Sequence, residues 1–551
     1  MKKKILYFNG GPDPVHQTEF VGKNIIAPLF ELDGRFSIEF TTDLDKLLTL
    51  EGNYDAVFFF CTGFRDEMTA ERFKGLSEFI KNGGGFAGSH CATDSFKGSS
   101  DYIDMIGGMF ATHPPEYEYT VKLTDTDHYI TENLKDFRVW DELYILDRFD
   151  PEKVNLLGKT TYQGIERPVL WTKEYGKGKI AYVGIGGNHN TAWTNPKFQK
   201  IIMRMIAWVC GCKKREPLNW AIVGYGGMGE YHATMDAAAS GIKDLRLKAI
   251  CDIDPARVAV AREKLPGLGG YYTSLDDMLK EQKLDLVTVP VPHNAHAPVV
   301  GKCLDAGVNV ISEKPFTITV SEADELIKKA DEKGLMLSVF HNRRWDSDFL
   351  EMKKLINKGL IGDVYHVAYN GLGYHSPGYT WRSDKDISGG IYYDWGAHIV
   401  DWILHYIPSK ITQVMARTQK RVWHSVTNED HSEIYITFAN GASAMFMTSN
   451  IAAVKRPQIQ IIGTRGSIEK LDERRLAVTT VDGNGFRLDS VYEMQSEGDW
   501  KDYYRNVCDH LVRGEPLAVT ARSAKRVIGV FEAAKISAEK GVSVPPVEGC
   551  E

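Results

Sequence analysis

Asn219-Trp220-Ala221-Ile222-Val223-Gly224-Tyr225-Gly226-Gly227-Met228-Gly229 lies in mid-chain and decides how the rest is read. A glycine triplet of the form G-x-G-x-x-G carries meaning only behind an apolar strand and ahead of a helix. Trp220 to Val223 is a short apolar run. Gly229 to Ser240 lacks proline and is rich in alanine, so strand, turn and helix are expected in that order. Gly224 permits the tight turn, Gly226 lets backbone approach a pyrophosphate, and Gly229 lets helix and strand pack closely. With Gly227 and Met228 between them, these residues form a phosphate loop at the positive end of a helix dipole. A second strand, Leu245 to Cys251, ends at Asp252, about where an acid reaches the ribose hydroxyls. That carboxylate favours NAD over NADP, because it repels a 2′-phosphate. Arg257, a turn into the next helix, would soften the preference.

At 551 residues the chain exceeds one ordinary core, and two or three domains are expected. A net charge of −7 without a concentrated Lys/Arg block leaves no footprint for nucleic acid or an anionic membrane. Met1-Lys2-Lys3-Lys4 looks like a signal-peptide start, but Ile5 to Phe8 is too short an apolar region and Asn9-Gly10-Gly11-Pro12 breaks it. No apolar span is long enough to cross a bilayer. Eight scattered cysteines suit a reducing cytoplasm better than a disulfide framework. Cys210 and Cys212 form the one close pair, without the other half of a zinc site.

Three domains are expected. Residues 1–213 alternate strands at Ile5 to Phe8, Asp55 to Cys61 and Gly85 to Ser89 with amphipathic segments at Thr69 to Lys81 and Asn195 to Val209. This is an α/β pattern with a mostly parallel sheet. Residues 214–338 alternate again, and the runs Leu284 to Val291 and Asn309 to Ser312 suit a buried parallel sheet. In residues 339–551, helices at about Asp346 to Lys358 and Gly389 to His405 precede strands near Gln413 to Thr418, Glu433 to Phe438, Ala442 to Ser449 and Gln458 to Gly463. Helices near Trp500 to Arg513 and Ala521 to Glu539 close this α+β domain. Its open antiparallel sheet offers a face for a homo-oligomer, dimer or tetramer.

Positions 218–551 resemble the Gfo/Idh/MocA family of NAD(P)-dependent sugar and cyclitol oxidoreductases. Besides the glycine loop, the resemblance rests on Pro292-His293-Asn294-Ala295-His296, Ser312-Glu313-Lys314-Pro315, Asn342-Arg343-Arg344 and the stretch from Gly389 through Asp394 and His398 to Asp401. Moving a hydride from a secondary alcohol to nicotinamide needs a base for the hydroxyl proton and a cation for the developing alkoxide. Lys314, Asp394 and His398 can supply both. Asp394 and His398, four apart in an expected helix, share one face. The resemblance implies that His398 accepts the proton, Asp394 orients or charge-stabilises it, and Lys314 bridges substrate hydroxyl and nicotinamide ribose. Which of Lys314 and His398 takes the proton varies across such enzymes. The resemblance also places Pro290, Asn294, His296, Glu313 and Lys314 at the cofactor. Arg343, Tyr374, His375, Trp381, Arg382 and Asp401 are candidates for the sugar pocket, since sugars need paired hydrogen bonds and a flat apolar face.

Residues 1–212 resemble the ThuA-like, trehalose-utilisation family, whose fold is like that of class I glutamine amidotransferases (flavodoxin-like α/β). The resemblance rests on Gly83-Gly84-Gly85-Phe86-Ala87-Gly88-Ser89-His90, Gly107-Gly108-Met109-Phe110, His113-Pro114, Asp141-Glu142-Leu143-Tyr144, Pro168-Val169-Leu170-Trp171 and Trp193-Thr194-Asn195-Pro196. Where amidotransferases carry a cysteine at the elbow after a strand, His90 stands here and Cys91 follows, which argues against glutamine hydrolysis. His16, His90, Cys91, His113, Asp141, Glu142 and His189 are candidates for a pocket. Convergence of His90, His113, His189 and a carboxylate at the sheet edge would make a divalent-metal site or an acid-base pocket. Their spacing is that of no compact metal motif, and no metal is assigned.

Three functions fit. The first is NAD-dependent oxidation of a sugar or glycoside at a secondary hydroxyl, C3 by the association of the two modules, with the keto product bound or processed by the first domain. The second is redox-neutral glycoside cleavage by oxidation, elimination and reduction on tightly bound NAD. The third is an NAD- and sugar-sensing protein without catalysis.

Overall fold

Near-continuous apolar runs become strands buried on both faces. Ala56–Cys61, with every residue buried, is the clearest of them. The computed structural model describes residues 2–10, 16–62, 64, 66–187 and 191–551. The chain divides into two compact units, Met1–Arg215 with Val512–Pro516 and Glu216–Leu511 with Leu517–Glu551. Among the described residues, no helix is long and apolar enough to cross a membrane.

In the first unit a nine-stranded sheet runs in the order Phe36–Thr41, Lys3–Gly10, Ala56–Cys61, Gly85–Ser89, Gly178–Val183, Ile165–Tyr175, Asn155–Tyr162, Tyr117–Leu123 and Phe137–Asp141. The first five strands are parallel, and their helical connections include Ala70–Lys81, capped by Thr69. The last four strands pair antiparallel. The expectation of a mostly parallel sheet is corrected accordingly. Ile165 pairs with Tyr162 across the two-residue turn Gln163-Gly164, both residues at positive φ (50° and 76°). Such a turn suits antiparallel twist, whereas a parallel neighbour would need a long crossover. The helix Pro196–Val209 starts where the Asn195 side chain accepts from the amides of Lys197 and Phe198, and it buries Phe198, Ile201, Ile202, Met205 and Ile206.

In the second unit a six-stranded parallel sheet runs Gly270–Tyr272, Leu245–Cys251, Leu218–Val223, Leu286–Val289, Asn309–Ser312 and Leu337–Val339. The order reverses between Leu218–Val223 and Leu286–Val289. A crevice for a dinucleotide opens at such a switch point, beyond the carboxyl ends of the strands. The helix expected from Gly229 to Ser240 is instead two, Gly227–Ala233 and Ala237–Ser240. Asp236 divides them, accepting from Ala238 N at 2.9 Å and from Leu247 N at 2.7 Å.

The remaining sheet has eight strands in the order Ile411–Gln419, His431–Phe438, Ser443–Ser449, Val364–Leu372, Ile459–Gly463, Gly466–Lys470, Arg475–Val481 and Arg487–Glu493. It is antiparallel except where Val364–Leu372 lies parallel to Ser443–Ser449. Val364–Leu372 and the last three strands lie outside the sequence reading. Arg487–Glu493 is an edge strand with nearly every residue exposed and carries no inward apolar alternation to read. The helix expected from Gly389 to His405 is one helix that starts later, Tyr393–Tyr406, and a short helix that the sequence reading did not include, Lys385–Ser388, precedes it. Gly389 and Gly390 separate them at φ 89° and 128°, a region that interrupts a right-handed helix. On the sheet's inner side Ala416 N donates to Ser537 Oγ at 2.9 Å, docking the helix Ala521–Lys540. On the outer side Met415, Tyr435 and Met445 stand opposite one another across three strands.

Candidate active site

The glycine loop follows the strand Leu218–Val223. Gly224 lies at φ +105°, and a Cβ there would come within 2.7 Å of the Pro290 carbonyl oxygen. A Cβ at Gly229 would come within 2.1 Å of the Gly224 carbonyl oxygen. Only hydrogen fits at either position, so the backbone forms a bare cradle of the kind a pyrophosphate requires. Gly226 caps the helix that Gly227 and Met228 begin, and Asn294 stands exposed on the short turn His293–Ala295 after the strand Leu286–Val289. Asp252 closes the second strand. Its carboxylate accepts from Tyr225 N at 2.6 Å and Asp254 N at 2.9 Å, which fixes it beside the loop. Arg257 also reaches the loop, within 3.5 Å of the Tyr225 carbonyl oxygen.

Lys314 leaves the carboxyl end of the strand Asn309–Ser312, and Asp394 and His398 project from the first turns of Tyr393–Tyr406. The Lys314 ammonium is ion-paired with the Asp394 carboxylate and donates to the Asp394 carbonyl oxygen at 3.2 Å. Burial pushes the Asp394 carboxyl up, but the charge and hydrogen bond of Lys314 more than offset this and leave it below its ordinary value. Arg382 Nε stands 3.5 Å from the other carboxylate oxygen. His398 is buried, and its Nδ1 has no hydrogen-bond partner among the described residues. Burial, joined by the charges of Lys314 and Arg343 and by His341, holds its pKa well below that of a free histidine. The imidazole is therefore neutral at physiological pH, the form that accepts a proton. Asp394 bonds Lys314 rather than His398, which corrects the role expected for it: the helix puts both on one face, but the nearer cation captures the carboxylate.

Behind Lys314 runs a buried chain of polar groups. Glu313 accepts from Lys314 N at 2.8 Å and faces His232 Nε2 at 3.2 Å. His232 Nδ1 lies 2.8 Å from Tyr504 Oη, which is 3.0 Å from Thr288 Oγ1. Trp220 Nε1 donates to the same Thr288 oxygen at 2.9 Å. Glu313, expected at the cofactor, is buried and anchors the backbone that carries Lys314. His296 is likewise fully buried, with ring nitrogens 2.7 Å from Pro315 O and 3.0 Å from Val291 O, so it braces two loops. Sequence reasoning missed His232 and Tyr504, which stand 272 residues apart and carry no motif.

The pocket candidates separate into two groups. Asp401 is fully engaged with Arg344, whose Nε and Nη2 reach its two oxygens at 2.7 and 2.6 Å. Burial alone would raise the Asp401 carboxyl; Arg344 overrides it and brings the pKa down to about 2. Both carboxylate oxygens are engaged in this buried pair, whereas Asp401 was expected to face the sugar. Truncating one partner strands a buried charge, and Asp401→Ala is expected to lower the unfolding free energy by about 3–5 kcal/mol in urea titrations. Arg343 pairs with Asp346 at 2.8 Å and lies over the rings of Trp395 and Trp500. These residues wall a cavity of about 350 Å³ that also touches Trp402 and Gln458. A second cavity, of about 470 Å³, shares Trp395 and includes His375. Neither is lined by Lys314 or His398. Trp381 packs edge-on to His293 with Arg382 over its ring, placing both beside Asp394. Tyr374 is exposed, bridged to Ile451 at the end of a strand.

In the first unit the strand Gly85–Ser89 ends in an elbow at His90, a non-glycine residue at φ +43°. The elbow is clamped where Tyr182 Oη and Thr93 Oγ1 donate to the His90 carbonyl oxygen at 2.7 and 3.2 Å. The buried His90 ring sets Nε2 3.2 Å from Glu142 Oε2, and His113 Nε2 is 3.9 Å from that same oxygen. His16 joins this group. A hydrogen bond with His90 draws the Glu142 carboxyl below its ordinary value against the effect of burial. Cys91 and Asp141 do not face it. Cys91 belongs to the apolar core, and Asp141 is fully buried, accepting from Gly186 N at 2.7 Å. His189 lies outside the described residues.

Residues 4–209 match the ThuA family, described as trehalose utilisation. Residues 218–341 match the Gfo/Idh/MocA oxidoreductase family with its NAD-binding Rossmann fold, and residues 349–469 match the C-terminal domain of that family. The chain joins a ThuA domain to a Gfo/Idh/MocA oxidoreductase. The oxidoreductase part is similar to scyllo-inositol 2-dehydrogenase (NADP(+)) IolW of Bacillus subtilis, at 28% identity over 61% of this chain and 98% of that protein. It is also similar to myo-inositol 2-dehydrogenase of Thermotoga maritima, at 26% identity over 59% of this chain and 97% of that protein. A solved structure of an NAD-binding protein from Listeria innocua superposes with a TM-score of 0.54 at 26% identity, covering 61% of this chain and 98% of its own.

Proposed function

We propose that the Gfo/Idh/MocA part oxidises a ring secondary hydroxyl of a sugar or glycoside with NAD, and that the hydroxyl is the one at C3. The reading is carried by the Lys314 ammonium, ion-paired to Asp394, which lies one helical turn from a buried neutral His398. The similarity to dehydrogenases of cyclic polyols supports a ring alcohol, and the ThuA domain in the same chain favours a sugar whose keto product it binds or processes. Nicotinamide, when bound, supplies the hydride acceptor. Lys314 donates a hydrogen bond to the substrate oxygen and favours its developing negative charge. Because Lys314 is committed to Asp394 as a cation, the hydroxyl proton passes to the imidazole of His398. Glu313 and His232 hold the Lys314 backbone, so the ammonium need not be reoriented during reaction. Trp381 and Arg382, next to Asp394, offer an apolar face and a donor to the ring.

The row of Met415, Tyr435 and Met445 on the outer sheet face supports pairing between copies of the chain, and eight scattered cysteines without a paired framework support a cytoplasmic setting. The test is NADH absorbance with purified protein, NAD and a panel of sugars, cyclic polyols and glycosides, with mass analysis of products. NADH accumulating with a keto product two hydrogens lighter is expected. A flat trace with released aglycone would replace the reading by redox-neutral cleavage, and a flat trace with unchanged sugars across the panel would overturn it.

A further inference from the structure

We infer that the ThuA domain binds a divalent transition-metal ion through His16, His90 and Glu142, with His113 at the rim. One nitrogen or oxygen from each of His16, His90 and Glu142 lies within 4.8 Å of the others. The tautomers carry the argument further. His90 Nδ1 is 3.0 Å from the Gly184 carbonyl oxygen, and His113 Nδ1 is 2.9 Å from the Pro114 carbonyl oxygen. A carbonyl oxygen only accepts, so both Nδ1 atoms carry hydrogen. In the neutral rings both Nε2 atoms then present lone pairs, and both face the same oxygen, Glu142 Oε2, at 3.2 and 3.9 Å. Lone pairs converging on a carboxylate repel unless a cation lies among them. A proton on one ring satisfies one contact, whereas a metal ion satisfies all of them at once.

The surroundings have the features of a metal site. An imidazole that ligates through one nitrogen almost always donates its other N–H to a carbonyl or carboxylate, which is what Gly184 and Pro114 receive. The His90 backbone is clamped at its elbow by Tyr182 and Thr93 and its buried ring is held at Nδ1 by the Gly184 carbonyl, so little side-chain entropy is lost on binding. Gly187 leaves the space beside the ligand pair free of a side chain: a Cβ there would lie 2.7 Å from His90 Nε2 and 2.9 Å from Glu142 Oε2. Imidazole nitrogens with one carboxylate oxygen suit borderline ions of the Zn²⁺ class rather than Mg²⁺ or Ca²⁺. His113, half-exposed, stands where a fourth ligand or an exchangeable position opens to solvent. The residues come from four separate stretches, which is why their spacing matches no compact motif.

The test uses the full chain, stripped with a chelator, dialysed and titrated with Zn²⁺ and with Co²⁺ as a spectroscopic probe. Uptake of about one ion per chain is expected, with Co²⁺ showing the visible bands of a low-coordinate nitrogen and oxygen site. Glu142→Gln and His90→Asn, the latter tolerant of positive φ, are expected to abolish uptake. His113→Asn, at a half-exposed position, is expected to weaken binding by about tenfold or more. Cys210→Ser is expected to leave uptake unchanged, which excludes the Cys210 and Cys212 pair as the binding site. A stripped chain that takes up no Zn²⁺ or Co²⁺, or wild-type uptake in both Glu142→Gln and His113→Asn, would overturn the inference.

Discussion

Lys314→Met is expected to lower kcat by about 10²–10³-fold and His398→Asn by about 10²–10⁴-fold, while NAD affinity changes little. Methionine keeps the length and apolar stem of lysine but removes the charge that steadies the substrate oxygen. It also leaves Asp394 without its principal cation. Kinetics with the best substrate of the panel, beside fluorescence titration with NAD, separate loss of chemistry from loss of the cofactor site. The pH dependence gives a second readout. Burial and neighbouring charge depress the pKa of His398, so its base form persists as pH falls. The acid limb of kcat/KM is expected well below pH 6.5, the ordinary histidine value. Since the Lys314 charge contributes to that depression, Lys314→Met should move the acid limb upward. A limb near 6.5 in the wild type, or no movement in the variant, would remove His398 from the proton-accepting role.

Acidification is expected to destabilise the oxidoreductase unit from about pH 6.5 downward, above the range where carboxylates protonate. Burial pushes His341 and His405 down to about 4 and His293 down to about 3, and His398 is depressed too. Each is neutral when folded and takes a proton when unfolded. Their contribution is therefore fully present above the unfolded value of 6.5 and is lost as pH falls toward the folded values. Every such histidine adds a slope of about 1.4 kcal/mol per pH unit in that window. Asp401, down to about 2, adds a further loss only below its unfolded value near 3.8. Hydrogen exchange of peptides from Glu216–Leu511, followed from neutral pH to 5 and corrected for intrinsic rate, should show falling protection. Changing His341 to Asn should flatten the slope by about one proton. Protection independent of pH across that window would show that these rings are not buried neutral.

The outcome depended on which signals are local. Apolar runs, the glycine loop and helix caps act over a few residues, and the strands Gly85–Ser89, Leu245–Cys251 and Asn309–Ser312 fall where their residues place them. The break at Asp236 was hidden because its side chain bonds Leu247 in a later strand, and the late start of Tyr393–Tyr406 because Gly389 and Gly390 take positive φ. The antiparallel half of the ThuA sheet was hidden because strand direction is set by connections, and a two-residue turn such as Gln163-Gly164 is a weak signal.

By itself the amino-acid sequence determined the two modules and the nucleotide cradle, and singled out Lys314, Asp394 and His398 as candidates, since each rests on residues close together along the chain. Only the tertiary structure decided their partners. Asp394 went to Lys314, Asp401 to Arg344, and Glu313 to His232, because a buried charge bonds whichever opposite charge or donor the packing brings nearest, however remote in sequence. The convergence of His16, His90, His113 and Glu142 was decided in the same way, by an elbow and a sheet edge that gather distant residues around one carboxylate oxygen.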